Sequence, residues 1–271
     1  MKLENKMIIT IARKSFVVLT LSILSLGAAY AENAQEKGLR ISQETKNKDL
    51  GWNDSSAKLE MILKNQHGET SIRKMKIKSI EQKNDGDKSL NIFQSPKDVK
   101  GTAFLSFSHP IGNDDQWLYL PALKRVKRIS SRNKSGSFMG SEFSFEDFTS
   151  FELEKYTFEY LKDEVIDGED CWVVVQYPVD KYSGYTKRIA WIDKSEYRIR
   201  KTDFYDRKKT HLKTLVFSNF HLLNEKYWRP QKLSMVNHQS GKSTILNFTE
   251  YVLDQGLSDK DFNKNALKRA R

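Results

Sequence analysis

The chain has 271 residues and a formal net charge of +11, with 46 lysines and arginines against 35 aspartates and glutamates. Its single cysteine, Cys171, excludes an internal disulfide bond. Because Cys171 lies in the apolar run 171–175, we expect it to be a small, buried core residue.

Residues 1–31 have the three parts of a cleavable secretory signal peptide. Residues 1–14 carry four basic side chains and one acid, and residues 16–26 are almost wholly apolar. Small residues then occupy the −3 and −1 positions of a cut after Ala31. A membrane anchor is the alternative, but an apolar run of about a dozen residues is shorter than the roughly 20 that span a bilayer. We therefore expect cleavage after Ala31 and export to the periplasm.

Cleavage would leave residues 32–271, which we expect to form a single domain. No later stretch is long and apolar enough to cross a membrane. The signal peptide accounts for +3 of the net charge, so the mature chain carries a scattered excess of +8. An exported protein rarely meets nucleic acid, so this excess suits an anionic lipid surface or merely a solvated face.

The mature sequence has the patterning of β-strands along most of its length. Apolar and polar side chains alternate over 57–64 and 102–108, which is typical of a sheet with one buried face. Turn signals separate the runs, so strand and turn counting predicts about eleven to thirteen antiparallel strands between Ala57 and Leu253. The runs 210–223 and 228–238 are long, which favours a curled sheet, a barrel or a half-barrel over a flat sheet.

Helical signals are few. Residues 36–48 predict an N-terminal amphipathic helix, and residues 144–151 predict a short one. Ser258 is a candidate N-cap for a last helical segment that ends near Ala266.

The sequence lacks the usual signatures of catalysis. Five histidines are present, but no two have close metal-ligand spacing, and there is neither a nucleophile elbow nor a phosphate-binding glycine loop. Adjacent carboxylates at 114–115 and 146–147 are typical of turns and caps. We therefore expect no enzymatic activity, no metal and no cofactor.

The strands carry more large apolar side chains than one core face requires. In 210–223, Leu212, Val216 and Phe220 share one parity, while Leu215 and Phe217 share the other. Either both faces are buried beneath helices and loops, or one face lines an internal apolar cavity.

One segment has an unusual composition. Residues 136–148 place Phe138, Met139, Phe143 and two further phenylalanines among glycines and serines. Such side chains outside a strand must be buried somewhere. A mobile aromatic flap over an apolar pocket and an ordinary buried loop both fit this composition.

The same region carries a resemblance to a known family. The pattern D-x-W-L-Y-L-P-A-L-x-R-V-x-R-I at 115–129, followed by G-S-F-M-G-S-x-F-S-x-E-D at 136–147, resembles the outer-membrane lipoprotein-sorting proteins of the LolA-like group. It is most similar to the branch whose genes often neighbour hydrophobe-exporting transporters. The segments 177–178, 185–193 and 228–230 add to this resemblance, which covers the chain from about Ala57 to its end.

The resemblance implies a mainly β fold, in which a curved antiparallel sheet forms an open half-barrel with its concave side covered by a few helices. It also implies a periplasmic carrier that binds acyl chains of lipoproteins or other lipids in an apolar cavity. The partners would be an inner-membrane transporter and an outer-membrane acceptor. Two rivals stay open: a docking module that carries nothing, and an enzyme acting on lipid or envelope polymer.

Seven residues are candidates for binding. We expect an apolar cavity or flap to be formed by the following residues: Trp117, Tyr119, Phe138, Met139 and Phe143. Arg125 and Arg128 are candidates for rim contacts to lipid head groups or to acidic loops of a partner. The alternative for these two arginines is a solvated edge strand that is protected by charge.

Overall fold

The computed structural model describes residues 32–269. The predicted signal peptide and its cleavage point lie outside this range. The described chain contains two α-helices, α1 (Ala34–Lys48) and α2 (Lys264–Arg269). The strands are β1 (Asp54–Lys64), β2 (Thr70–Ile80), β3 (Lys88–Ser95), β4 (Ala103–Phe107), β5 (Asp115–Leu120), β6 (Arg125–Ile129), β7 (Tyr156–Ile166), β8 (Glu169–Pro178), β9 (Tyr185–Asp193), β10 (Ile199–Asp206), β11 (His211–Leu223), β12 (Tyr227–Asn237) and β13 (Ser243–Leu253).

All thirteen strands belong to one antiparallel sheet. Their order is β6-β5-β4-β3-β2-β1-β13-β12-β11-β10-β9-β8-β7. Strands that follow one another in the chain are therefore neighbours in the sheet, with the exception of β6 and β7, and β1 pairs with β13. Within the described residues β6 and β7 remain the two edges, and the sheet does not close. The predicted all-antiparallel sheet and its strand number are confirmed.

The sheet is strongly curved. The carbonyl of Phe145 accepts a hydrogen bond from Gln116 of β5 at 2.8 Å, while Asp147 accepts one from Tyr185 of β9 at 2.8 Å. Those two strands are nine strand spacings apart in the sheet, which in a flat sheet would be roughly 40 Å. A chain segment three residues long contacts both, so the sheet bends around it as an open half-barrel, as the sequence predicted.

The two faces of this half-barrel have separate cores. The concave face includes Phe104 and Leu118, which belong to a core with side chains from β1–β6 and β9–β13. Their neighbours along the strands, Leu105 and Trp117, point outward and pack on Leu267 of α2. Both faces are therefore buried at β3–β5. For these strands this agrees with the alternative that the additional apolar residues are buried beneath helices and loops on both faces.

Helix α1 covers part of the concave side. Helix α1 begins at an Asn33 cap, whose side chain accepts a hydrogen bond from the Glu36 N–H at 2.8 Å. Its Ile41 is fully buried against concave-face residues of β7–β9. Helix α2 lies on the outer face, where its Leu267 packs against Leu105 and Trp117. The outward parity of Leu105 and Trp117 leaves an apolar patch for α2 to bury.

Local details agree with several predictions. The segment predicted as a short helix at 144–151 is a 3₁₀ turn, Phe145–Phe148, with Ser144 as its cap. Ser258 caps a second 3₁₀ turn, after which α2 begins separately at Lys264. Cys171 is fully buried in the outer-face core of β8 and β9, as expected.

Candidate functional site

A cavity of about 960 Å³ occupies one end of the concave face. Its floor is apolar and comes mainly from three adjacent strands, β11 to β13. The floor residues are Phe217, Phe220, Trp228, Leu233, Leu246 and Phe248. Most of them are only half-buried, because the space in front of them is not filled by other side chains.

Along β11, the alternation of side chains between the two faces of the sheet is interrupted where the strand borders the cavity. Phe217 points to the concave side, and simple alternation would place Phe220 on the outer side. Asn219 adopts a left-handed conformation with φ 54°, which interrupts the alternation. Phe220 and Leu222 consequently line the cavity as well, and the wall gains apolar area from both parities of the strand.

Charged side chains surround the apolar floor. Asp49 pairs with Arg229 of β12, and Lys46 of α1 pairs with the buried Glu152. Glu81 accepts hydrogen bonds from the backbone N–H groups of Gly51 and Asn53 at 2.8 and 3.1 Å. These groups hold α1 and the neighbouring connections together around the cavity.

Asp87 is a carboxylate of this lining with a raised pKa. Burial and, to a smaller extent, the negative charges of Glu152, Glu81 and Asp49 raise the pKa of Asp87 to about 7. A hydrogen bond from the Gln82 N–H at 3.2 Å opposes this effect only in part. The cavity lining therefore changes its charge near neutral pH.

The inner end of the cavity is closed by residues 136–148, which we call the plug. Phe138 is fully buried, and its ring lies 4.2 Å from that of Phe148 and 5.2 Å from that of Phe104, measured between centroids. Phe143 and Phe148 form the plug surface that lines the cavity. The plug thus fills one half of the concave face and leaves the other half open.

Buried charges fix the plug to the sheet. Lys213 of β11 donates to the Asp147 carboxylate at 2.7 Å and to the Glu142 carbonyl at 2.9 Å. Tyr185 donates to Asp147 at 2.8 Å. Glu146 accepts from the Gly184 N–H at 2.7 Å. These contacts fit the buried-loop alternative for this segment, and a mobile flap stays a prediction.

The structure brings together only part of the predicted site. Phe138, Met139 and Phe143 are neighbours in the plug, and among them Phe143 lines the cavity. Trp117 and Tyr119 lie on the outer face in the core under α2. The five residues therefore do not form one wall, and a binding role for any of them stays a prediction.

The two predicted rim arginines lie on the edge strand β6. Arg125 is exposed next to the β5–β6 turn, and Arg128 is paired with Asp115 of β5. Neither borders the cavity. Their proposed contact with head groups or a partner stays a prediction.

Sequence reasoning missed most of the cavity wall. The apolar residues of both parities in β11 were the one sequence feature that pointed to Phe217 and Phe220 as cavity residues. Trp228, Leu233 and Phe248 gave no such signal, because their parity also fits an ordinary core.

Some side chains that could take part in chemical reactions lie outside the cavity. On the outer face, the Thr214 hydroxyl donates to Asp203 at 2.6 Å and lies 2.8 Å from Nε2 of His238. The hydroxyl is thus bound to a carboxylate and does not face the cavity.

Burial raises the pKa of the Cys171 thiol to about 11, which disfavours its thiolate. Within residues 32–269, no cluster of three or more His, Cys, Asp or Glu side chains could hold a metal ion.

Comparison with known proteins decides the family. A family model described as that of an uncharacterized protein matches residues 85–269. The crystal structure of an outer membrane lipoprotein-sorting protein domain from Vibrio parahaemolyticus is 60% identical, with a TM-score of 0.85, and the match covers 87% of this chain and all of that one. The chain belongs to the family of this outer membrane lipoprotein-sorting protein domain.

Two further structures extend the family comparison. A DUF1329 family protein from Desulfovibrio piger is 29% identical, with a TM-score of 0.82 over 87% of this chain and 99% of that one. A LolA superfamily protein from Nitrosomonas europaea is 22% identical, with a TM-score of 0.69 over 87% of this chain and all of that one, and shares the fold. No curated protein sequence matches the chain. Neither helix between residues 32 and 269 has the length and apolar character needed to cross a membrane.

Proposed function

We propose that this chain is a periplasmic carrier that binds acyl chains of lipoproteins or other lipids in the concave cavity. The observation that carries the proposal is the unfilled apolar floor of β11–β13, in a cavity of about 960 Å³. That volume lies at the upper end of the range typical of small-molecule sites, about 300–1,000 Å³. Family membership and the predicted signal peptide support the periplasmic location.

Burial of hydrocarbon would drive binding. Each CH₂ group transferred from water contributes about 0.8 kcal/mol, so a long acyl chain contributes roughly 10 kcal/mol before ordering costs. Such a ligand has no stable aqueous state, so release requires an acceptor. We therefore propose transfer between envelope membranes, or to and from an inner-membrane transporter, without any covalent step.

Two variants of β12 test this proposal. Leu233 lines the cavity, whereas Val236 on the same strand is exposed on the outer face. An unpaired polar group in an apolar wall costs a few kcal/mol, so Leu233→Asp should abolish binding of an environment-sensitive fatty-acid probe. Val236→Asp should bind as wild type does, and thermal unfolding of both variants checks that they fold.

The same probe experiment can also contradict the carrier proposal. If the wild-type protein binds neither the probe nor any extracted envelope lipid, the carrier proposal is wrong. A docking module that carries no cargo would then be the better account.

A further inference from the structure

The charges of the hairpin connections are divided between the two ends of the sheet. Six connections lie at one end, and they contain eight lysines and arginines against three acids. These connections are 65–69, 96–102, 121–124, 179–184, 207–210 and 238–242. We call this end the basic end.

The opposite end has the reverse balance. Its five connections contain seven acids against four lysines and arginines. These connections are 81–87, 108–114, 167–168, 194–198 and 224–226. We call this end the acidic end. The fold places alternate connections of the antiparallel sheet at opposite ends, and the sequence gives the two sets of connections opposite charge balances.

The basic charges are available to a partner. Lys124, Lys208 and Lys209 are exposed, and none forms a salt bridge with another described residue. Leu123 stands beside Lys124 at the β5–β6 turn and is 62% exposed. An exposed apolar side chain next to basic ones suits the boundary between head groups and acyl chains of an anionic membrane.

The cavity lies at the acidic end. It is bordered by residues of four acidic-end connections, including Glu81, Asp87 and Glu225, and the plug separates it from the basic end. Leu50 and Leu222 line the cavity and are 46% and 45% exposed, so the cavity opens to solvent there.

We propose that the basic end binds the surface of an anionic phospholipid membrane and holds the cavity opening away from that membrane. Complementary charge favours this orientation, since an anionic surface attracts the basic end and repels the acidic one. In this orientation cargo passes through the opening to or from a protein, and not directly from the adjoining leaflet. The proposal rests on the proposed periplasmic location for its biological setting, but not on cargo binding.

Vesicle binding with two charge-matched double variants tests the surface. The vesicles contain phosphatidylglycerol and phosphatidylcholine, or phosphatidylcholine alone, and no cargo is added. Lys124→Glu with Lys208→Glu alters the basic end, and Lys48→Glu with Lys83→Glu makes the same change in net charge near the acidic end. The wild type should bind only the anionic vesicles, and less in high salt. The first pair should weaken binding at least about tenfold, and the second should not.

Orientation is tested with two labelled cysteine variants. Cys171 is fully buried, so an environment-sensitive label should react at the new position in Leu123→Cys or in Ile111→Cys. Ile111 is 84% exposed in an acidic-end connection and is a matched control. Anionic vesicles should shift the emission of the label at position 123 to the blue and leave the label at position 111 unchanged.

Three outcomes would overturn the proposal: no binding to anionic vesicles, equal loss of binding in both double variants, or a larger emission shift at position 111. All three are independent of the fatty-acid titration. A failure of membrane docking is therefore distinguishable from a failure of the carrier proposal.

Discussion

The ammonium group of Lys213 lies 2.7 Å from the carboxylate of Asp147, and both side chains are almost fully buried. Burial alone would raise the pKa of Asp147, but the charge and hydrogen bond of Lys213, with hydrogen bonds from Ser144 and Tyr185, hold it below its ordinary value. This contact joins the plug to β11 across the half-barrel. The plug in turn separates a packed half of the concave face from an open half.

Loss of Lys213 should therefore be strongly destabilising. We expect Lys213→Met to lower the free energy of unfolding by about 3–5 kcal/mol, because it leaves the buried Asp147 charge without its partner. Urea denaturation measures this loss. The double variant Lys213→Met/Asp147→Asn should recover part of it, and a double variant as unstable as the single one would contradict the pairing argument.

Asp87 should give the protein a distinctive pH dependence. Its pKa of about 7 in the folded chain lies above the ordinary 3.8, so the folded state holds this proton over a range in which the unfolded state has lost it. The stabilisation is complete below about pH 4 and is lost as the pH rises through 7.

Asp87→Asn should accordingly match wild type near pH 4 and be more stable at pH 8, by up to about 4 kcal/mol. Thermal unfolding across this range measures the difference. A variant that is less stable than wild type at pH 8 would show that the charged carboxylate is compensated in the folded protein.

The plug should behave as core. Phe138→Ala should lower the free energy of unfolding by about 3–5 kcal/mol, because the fully buried ring packs against several other phenylalanines. Leu123→Ala, at an exposed turn, should change it by less than about 0.5 kcal/mol. If Phe138→Ala is as mild as Leu123→Ala, the segment is a loosely held flap after all.

The mature chain should begin at Glu32. The small residues at positions 29 and 31 and the short apolar run before them motivate this prediction. N-terminal sequencing of protein from the periplasmic fraction measures it. Recovery of an intact Met1 in the membrane fraction would show instead that the segment is an anchor.

Alternation and turns were enough to predict the architecture. The long runs in β11 and β12 predicted curvature, and β11 revealed its double set of apolar residues. Parity alone does not say which face is concave, so Trp117 was assigned to the cavity although it lies under α2. The burial of the plug depends on Lys213 meeting Asp147, a contact between residues 66 positions apart that local patterns do not encode.

The concave cavity should hold hydrocarbon. Native mass spectrometry of the mature protein, purified from the periplasm without detergent, tests it most directly when lipid extraction follows. The account predicts a bound species with the mass of an acylated molecule in wild type, retained in Val236→Asp and lost in Leu233→Asp. A protein that is free of lipid in every preparation, and that takes up none from added envelope extract, would contradict it.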